Sequence, residues 1–161
     1  MRAIAMCAVL LVAGCSDKMT EEEREAAVAE VEGAQEVPPE MLTLDPIRYP
    51  EIEKYDLYGA GCGFAPDGGG LGAVALAMAE EGYLIRNGEL LRFAADTGSR
   101  ELPYLAHSKY TGLEYSFTLE LDEAGGQQSG METTDYRGQL TVRDSGDRVV
   151  YQAKGITQCG A

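Results

Sequence analysis

Apolar and polar residues alternate along much of the second half of the chain, and turn residues interrupt the alternation at short intervals. Between residues 113 and 122 the apolar positions are Leu113, Tyr115, Phe117, Leu119 and Leu121. A period of two is typical of a strand with one buried face. The same period runs from Tyr136 to Val142. We therefore predict two half-buried strands in these segments.

A β-hairpin is predicted between Tyr83 and Phe93. Asn87-Gly88 separates two apolar runs there, and both residues tolerate the positive φ that a type I′ turn requires. The segment from Val74 to Ala79 is a further strand candidate, although its alanines also permit a short helix.

The end of the chain predicts another hairpin. Asp144-Ser145-Gly146-Asp147 has the composition of a turn, and a final strand is predicted from Arg148 to Gln158. Within that strand we expect a bulge at Gly155, because the extra residue would return Ile156 to the buried face.

These elements predict a mainly β domain over residues 57–161. About six strands with hairpin connections, and no long amphipathic helix, favour a small antiparallel barrel or sandwich. The chain has no tryptophan and only 7 % aromatic residues, so the core depends on leucine, valine and tyrosine. Strand periodicity turns Tyr115, Tyr136 and Tyr151 inward.

Residues 15–56 differ in composition from the domain that follows. Between Asp17 and Asp56 there are thirteen acidic and four basic residues. Thr20 and Glu23 have capping-box spacing, which predicts a short helix from Glu21 to Val31. Later prolines, including Pro46 and Pro50, favour irregular structure. We interpret the segment as an acidic tether, with a docking arm as the alternative.

The chain begins with a basic residue, an apolar run and two small residues before a cysteine. This order, ending in Leu11-Val12-Ala13-Gly14-Cys15, resembles the signal peptide of bacterial lipoproteins. The resemblance implies cleavage after Gly14, diacylglycerol and palmitate on Cys15, and attachment to a membrane. Ser16 in place of aspartate favours the outer membrane, facing the periplasm. The alternative is an ordinary secretory signal over residues 1–14, with an incidental cysteine.

The remaining cysteines predict a disulfide bond. Cys7 leaves with the signal and Cys15 takes the lipid, so Cys62 and Cys159 remain. Two thiols in an oxidising compartment pair most simply with each other, which ties the first strand of the domain to the last. A metal site and a reactive thiol are the alternatives.

The charge of the chain limits its partners. The formal net charge is −14, and removal of residues 1–14, whose only charge is Arg2, makes it −15. Such a surface repels nucleic acid and anionic lipid, so the acyl chains must provide the anchor. A cationic protein of the cell envelope is the partner class that this charge would attract, and the alternative is that the charge serves only solubility and self-repulsion. No cofactor is predicted.

The candidate binding patch surrounds the single histidine of the chain. Tyr104, His107, Lys109 and Tyr110 lie in one short segment and have the side chains of a contact surface. The alternative is a loop held by tyrosines packed beneath it. A hydrolase using His107 with Ser99 or Ser108 is a third hypothesis. The chain lacks a G-x-S-x-G elbow, so we predict that the protein is not an enzyme.

Three acidic or glycine-rich motifs are also candidates for chemistry. The segment from Asp67 to Gly72 invites comparison with phosphate loops, but it lacks their Gly-Lys-Ser/Thr ending. The turn at residues 144–147 has two acids but lacks the ligand order of a calcium loop. The pairs Glu80-Glu81 and Asp122-Glu123 suit strand ends. We interpret the two loop motifs as turns, and the acidic pairs as ordinary charged residues at strand ends, with a pair of glycosidase acids as the alternative.

The layout resembles that of the membrane-bound inhibitors of c-type lysozyme. Those proteins join a lipoprotein signal to a small antiparallel barrel with a disulfide involving its first and last strands. Cys62 and Cys159, with the hairpin of residues 83–91 between them, are similar in arrangement. The family's Ser-Gly-x-x-Tyr loop is absent from the sequence. We predict a lipid-anchored binding or structural module of the cell envelope, with lysozyme inhibition as the alternative.

Overall fold

The computed structural model describes residues 20–35, 38–70 and 72–161. The predicted signal peptide and Cys15 lie outside these residues. The chain divides into two compact units, Met1–Pro38 and Pro39–Ala161. In the first unit helix α1 spans Glu21–Gln35, and it therefore continues beyond the predicted end at Val31.

A capping box begins helix α1. The Thr20 N–H donates to Glu23 Oε2 at 2.8 Å, and the Glu23 N–H donates to Thr20 Oγ1 at 3.3 Å. These bonds satisfy backbone groups that have no partner inside the helix. The hydrogen bonds from Thr20 also lower the pKa of Glu23. The predicted helix start is confirmed.

The second unit is an antiparallel β-barrel. Its nine strands follow the order β6-β5-β4-β3-β2-β1-β9-β8-β7, and pairing of β6 with β8 closes eight of them into a ring. The strands are β1 Gly61–Pro66, β2 Ala75–Met78, β3 Glu81–Arg86, β4 Glu89–Ala95, β5 Lys109–Thr111, β6 Tyr115–Leu121, β7 Gln127–Gln128, β8 Thr133–Asp144 and β9 Val149–Gly160. The predicted mainly β fold is confirmed, and it is a barrel. Strands β5 and β7 are too short for a period-two pattern to reveal.

Both predicted hairpins are present. The β3–β4 turn has Asn87 at φ 52° and Gly88 at φ 75°, as a type I′ turn requires. In the β8–β9 turn, Asp144 Oδ1 accepts from the N–H groups of Gly146 and Arg148, each at 3.0 Å. The candidate at residues 74–79 is strand β2 and not a helix.

Side chains fill the interior of the barrel. Phe117 stands at the centre of an aromatic group, stacked on Tyr110 at 4.7 Å and edge-on to Phe93 at 5.1 Å. The other fully buried members of this core come from several strands and include Phe64, Leu84, Leu119, Leu140 and Val142. Tyr115, Tyr136 and Tyr151 pack against the core while half-buried, as their inward direction predicts. The interior is therefore a packed core.

Two details of the predicted strand faces are wrong. Leu113 is 102 % exposed because the chain turns at residues 112–114, before β6 begins. Gly155 is not in a bulge, since it pairs in register with Gly138 and with Pro66. Consequently Ile156 remains on the outer face. The register shift lies instead between Val142 and Arg143, opposite the other end of β9.

Glycine is required at position 155 by close contact with β1. A Cβ atom there would lie 2.0 Å from the Ala65 carbonyl oxygen. The next inward residue is Thr157, which is completely buried and has no hydrogen-bond partner for its hydroxyl.

Residues 45–57 pack against the outside of the barrel, whereas Leu42 before them is buried in the main core. Ile47 and Leu57 are buried in a second cluster with Tyr83 and Ile85 of β3. The backbone supports this contact, because the Ile47 N–H donates to the Ala73 carbonyl at 2.6 Å. This arrangement differs from the predicted boundary at residue 57, since the compact unit begins at Pro39.

A second helix lies within this segment. Helix α2 spans Tyr49–Tyr55, where the sequence predicts irregular structure. Pro50 lies in its first turn, a position at which the missing N–H breaks no helical hydrogen bond. The Arg48 N–H donates to Glu51 at 2.9 Å and caps the same end.

The predicted disulfide between Cys62 and Cys159 is present. The two cysteines are directly paired across strands β1 and β9, with their Cα atoms 4.0 Å apart. Both are almost completely buried. The bond joins the first and last strands of the domain, as expected.

Candidate functional site

The four residues of the predicted binding patch lie in different environments. Tyr110 is completely buried, so its assignment to an exposed patch is wrong. Tyr104 and Lys109 are exposed, and His107 is half-buried. Strand periodicity explains the difference, because Tyr110 is the inward residue of β5.

Tyr110 holds the chain that precedes it. Its hydroxyl donates to the Met78 carbonyl at 2.6 Å and accepts from the His107 N–H at 2.7 Å. Burial raises its pKa to about 12, against the lowering effect of the His107 hydrogen bond. The alternative interpretation, a loop held by a packed tyrosine, is the one that fits this residue.

His107 lacks the surroundings of a hydrolase base. Its Nδ1 atom is buried and has no hydrogen-bond partner. In a catalytic triad that nitrogen donates to an acid, which orients the ring. The Ser99 hydroxyl makes hydrogen bonds to other groups instead of to His107. It donates to the Asp96 carbonyl at 2.7 Å and accepts from the Lys109 N–H at 3.2 Å.

The segment before His107 forms a short turn over the disulfide. Leu102 and Ala106 are buried, and the Leu102 N–H donates to the Ala106 carbonyl at 2.7 Å. The Pro103 carbonyl oxygen lies 3.7 Å from Cys62 Sγ. The ends of the turn are therefore anchored in the core, while Tyr104 and Leu105 stand between them.

Tyr104 and Leu105 both have left-handed backbone conformations, with φ of 60° and 61°. Glycine adopts this conformation freely, but an ordinary side chain costs about 1 to 2 kcal/mol there. Two such residues in succession are strained, and the anchored ends of the turn hold them in place. Tyr104 is 37 % exposed and Leu105 is 63 % exposed, so the strained backbone presents both side chains to solvent.

A third exposed residue adjoins this turn. The Tyr104 hydroxyl donates to the Glu132 carbonyl in the β7–β8 connection. The neighbouring Met131 is 96 % exposed. We call the exposed side chains of Tyr104, Leu105 and Met131 the Tyr104 surface. Sequence reasoning missed Leu105 and Met131, because no pattern marks a leucine with positive φ or an isolated exposed methionine.

Acidic side chains border the Tyr104 surface in sequence. Glu101 and Glu132 are exposed. Lys109 lies 3.8 Å from Asp96 in a surface ion pair, and Arg100 pairs with Glu123. Exposed pairs of this kind contribute only about 0 to 1 kcal/mol to stability, so these cations are held weakly.

The other candidate motifs are turns. Gly68 and Gly70 have positive φ in the β1–β2 connection, and Asp67 there pairs with Arg137 at 3.1 Å. The pKa of Asp144 is lowered, first by the Arg148 side chain and then by backbone N–H groups. Within the described residues no group of three or more histidine, cysteine or acidic side chains is placed to hold a metal.

Both predicted acidic pairs take part in surface contacts. Glu81 accepts from the Tyr83 hydroxyl at 2.6 Å and from Arg92 at 3.0 Å. Glu123 begins a short 3-10 turn beside its partner Arg100. Their positions at strand ends are those expected of turn residues.

Comparison of the chain with protein families, curated proteins and solved structures found no significant match. Among the described helices, none has the length and apolar character needed to span a membrane.

Proposed function

We propose that this protein is a lipid-anchored module of the outer membrane, facing the periplasm, whose barrel binds another protein through the Tyr104 surface. The observation that supports this is the pair of strained residues, Tyr104 and Leu105, that present apolar side chains to solvent. Strained backbone persists only where the surrounding structure maintains it, and such residues cluster at functional sites. Tyrosine is also enriched among the residues that dominate binding energy.

The rigidity of the turn favours protein binding. Leu102 and Ala106 are buried on either side of the exposed pair, and the disulfide lies beneath. A surface that is ordered before binding loses less conformational entropy when a partner docks. The packed barrel interior leaves the outer surface as the place for a ligand.

A cationic partner fits the charge of the chain. The net charge is −14, and Glu101 and Glu132 adjoin the Tyr104 surface in sequence. Complementary charge accelerates association and excludes acidic competitors. Attachment through acyl chains on Cys15 places the acidic domain beside a membrane that its charge would otherwise avoid.

The proposal can be tested by capture of envelope proteins on the full-length chain in detergent. The Tyr104→Ala/Leu105→Gly double variant is compared with Tyr58→Ala, which changes an exposed tyrosine in the connection between α2 and β1. We expect one stoichiometric protein on the wild type and on Tyr58→Ala, and its loss from the double variant. Equal capture by all three proteins would contradict a role for the Tyr104 surface.

A c-type lysozyme is added in a parallel assay, because it is a cationic protein that the sequence resemblance suggests. Protection of peptidoglycan that disappears in the double variant would identify the module as a lysozyme inhibitor. Capture without protection would leave a binding module with another cationic partner.

The anchor is tested separately. Labelling of cells with radioactive palmitate should mark the wild-type protein and leave Cys15→Ser unmarked. Incorporation of label into Cys15→Ser would contradict lipidation at this residue.

A further inference from the structure

Strand β4 has a backbone edge that the barrel does not use. On one side β4 pairs with β3 along Glu89–Ala94. On the other side it pairs with β5 only at Ala94 and Ala95. Within residues 72–161, which are all described, the stretch Glu89–Phe93 therefore has a strand partner on one side alone.

The direction of the backbone groups along this edge follows from alternation. The Ala95 N–H donates to the Glu80 carbonyl at 2.9 Å, on the β3 side. The Asp96 N–H donates to the Lys109 carbonyl at 2.9 Å, on the β5 side. Successive residues of a strand point their peptide groups to opposite sides. Leu90 and Arg92 consequently direct their backbone N–H and carbonyl groups to the unused edge.

The pairing ends because the chain turns away from β4. Strand β5 contains three residues, and the Gly112 N–H then donates to the Tyr115 carbonyl at 2.8 Å as the chain enters β6. Gly112 lies so close to β4 that a Cβ atom there would be 2.9 Å from the Phe93 ring. Beyond this contact the wall of the barrel opens.

An apolar groove follows the opening. Its volume is about 370 Å³, and it lies between residues 90–93 of β4 and residues 112–115. Leu113 is completely exposed on its rim. Proteins normally protect sheet edges with charge, proline or a covering segment. Here a free edge and a fully exposed leucine occur together.

We propose that β4 receives an extended basic segment of a partner protein as an added strand along Glu89–Phe93. Strand addition to a free edge is a common mode of peptide recognition, with main-chain hydrogen bonds for affinity and neighbouring pockets for side chains. Glu89 and Glu114 are exposed beside the groove, and the charge of Arg92, which also lines it, is matched by Glu81 at 3.0 Å. Positive side chains on the segment would therefore be attracted. A second copy of this chain is the wrong occupant, because two proteins of charge −14 repel each other.

This site is separate from the Tyr104 surface and is formed by different residues. The two proposals therefore fail independently. Variants at Tyr104 and Leu105 leave the β4 edge unchanged, and variants at Arg92 leave the Tyr104 surface unchanged.

The test measures binding of a fluorescein-labelled peptide of alternating lysine and valine to the full-length chain in detergent. A peptide of alternating glutamate and valine serves as the charge control. Arg92→Pro removes the edge-facing N–H, a substitution that edge strands tolerate. Arg92→Ala is the matched variant, because it also loses the ion pair with Glu81 but keeps the N–H.

We expect the basic peptide to bind wild type and Arg92→Ala, and the acidic peptide to bind neither. Arg92→Pro should bind about tenfold more weakly, as expected when an edge hydrogen bond is lost. Equal binding by Arg92→Pro and Arg92→Ala would overturn the proposal, as would equal binding of both peptides or no binding to wild type.

Leu113→Ser, which adds no charge to the groove, provides a second test if Arg92→Pro does not fold. Leu113 contributes nothing to the core, so this variant should fold normally and bind the basic peptide more weakly through loss of apolar contact. Unchanged binding would overturn the role of the groove. Sedimentation of the unliganded chain is also expected to show a monomer, and a dimer abolished by Arg92→Pro would show that a second copy is the occupant.

Discussion

The rings of Tyr110 and Phe117 are stacked in the barrel interior, with their centroids 4.7 Å apart. They belong to β5 and β6, and Phe93 of β4 meets Phe117 edge-on at 5.1 Å. This is the part of the wall where β4 and β5 share only two residue pairs. Aromatic packing therefore supports the closure of the barrel where backbone pairing is least extensive.

The first prediction compares Phe117 with Leu113, two apolar positions of the same period-two pattern in the sequence. Phe117→Ala should lower the free energy of unfolding by about 3 to 5 kcal/mol, because it leaves a cavity beneath Tyr110. Leu113→Ala should change it by less than about 0.5 kcal/mol, since Leu113 is fully exposed. Urea denaturation of both variants measures the difference. Similar losses would mean that Leu113 is packed in solution.

The second prediction concerns stability at high pH. An unfolded tyrosine loses its proton near pH 10, whereas burial holds the pKa of Tyr110 at about 12. Between these values the folded state binds more protons than the unfolded state, so the free energy of unfolding falls as the pH rises. Below pH 10 this contribution is fully present.

Tyr110→Phe removes that titration and should make the decline between pH 10 and 12 less steep. Tyr83, whose pKa is raised to about 12 chiefly by burial, continues to contribute in both proteins. Denaturation curves collected across this pH range provide the measurement. A decline of unchanged slope in Tyr110→Phe would show that Tyr110 is not the titrating group.

The third prediction concerns the disulfide. The bond between Cys62 and Cys159 closes a loop with a sequence separation of 97 residues. Restricting the unfolded chain in this way stabilises the folded protein by about 4 to 5 kcal/mol in the chain-entropy model. The Cys62→Ala/Cys159→Ala variant should lose most of that stability in guanidinium denaturation. A loss below about 1 kcal/mol would show that the reduced chain remains compact when unfolded.

Local signals in the sequence were sufficient for several elements. The Asn87-Gly88 turn and the capping box at Thr20 depend on residues within a few positions of each other, so their effect does not require knowledge of the rest of the fold. The strands with period-two alternation are likewise predictable from their own residues. The cysteine pairing followed from the small number of thiols, and the structure places those two residues opposite each other.

Other features depend on distant contacts. Gly155 suggested a bulge, but it is required by the approach of the Ala65 carbonyl, a residue of another strand. Ile47 and Leu57 lie among acidic residues and gave no periodic signal, yet the outer face of β3 buries them. The inward position of Tyr110 likewise depends on the pairing of β5 with its neighbouring strands. A strand of three residues is too short for its sequence pattern to indicate that pairing.

The last prediction separates strain from stability at the Tyr104 surface. Leu105 has φ of 61°, a conformation that costs about 1 to 2 kcal/mol for a side chain and nothing for glycine. Glycine also gives the unfolded chain more freedom, which costs about 0.5 to 1 kcal/mol. The free energy of unfolding of Leu105→Gly should therefore equal or slightly exceed that of the wild type.

The same variant should bind the captured partner more weakly, because it removes an apolar side chain that is 63 % exposed. Thermal denaturation and partner affinity are measured on the same preparations, with Met41→Ala as the control, because it also removes an apolar side chain that is 63 % exposed but belongs to neither proposed site. Gain or retention of stability together with weaker binding would show that the strain is maintained for recognition. A less stable Leu105→Gly with unchanged affinity would show that Leu105 serves the fold instead.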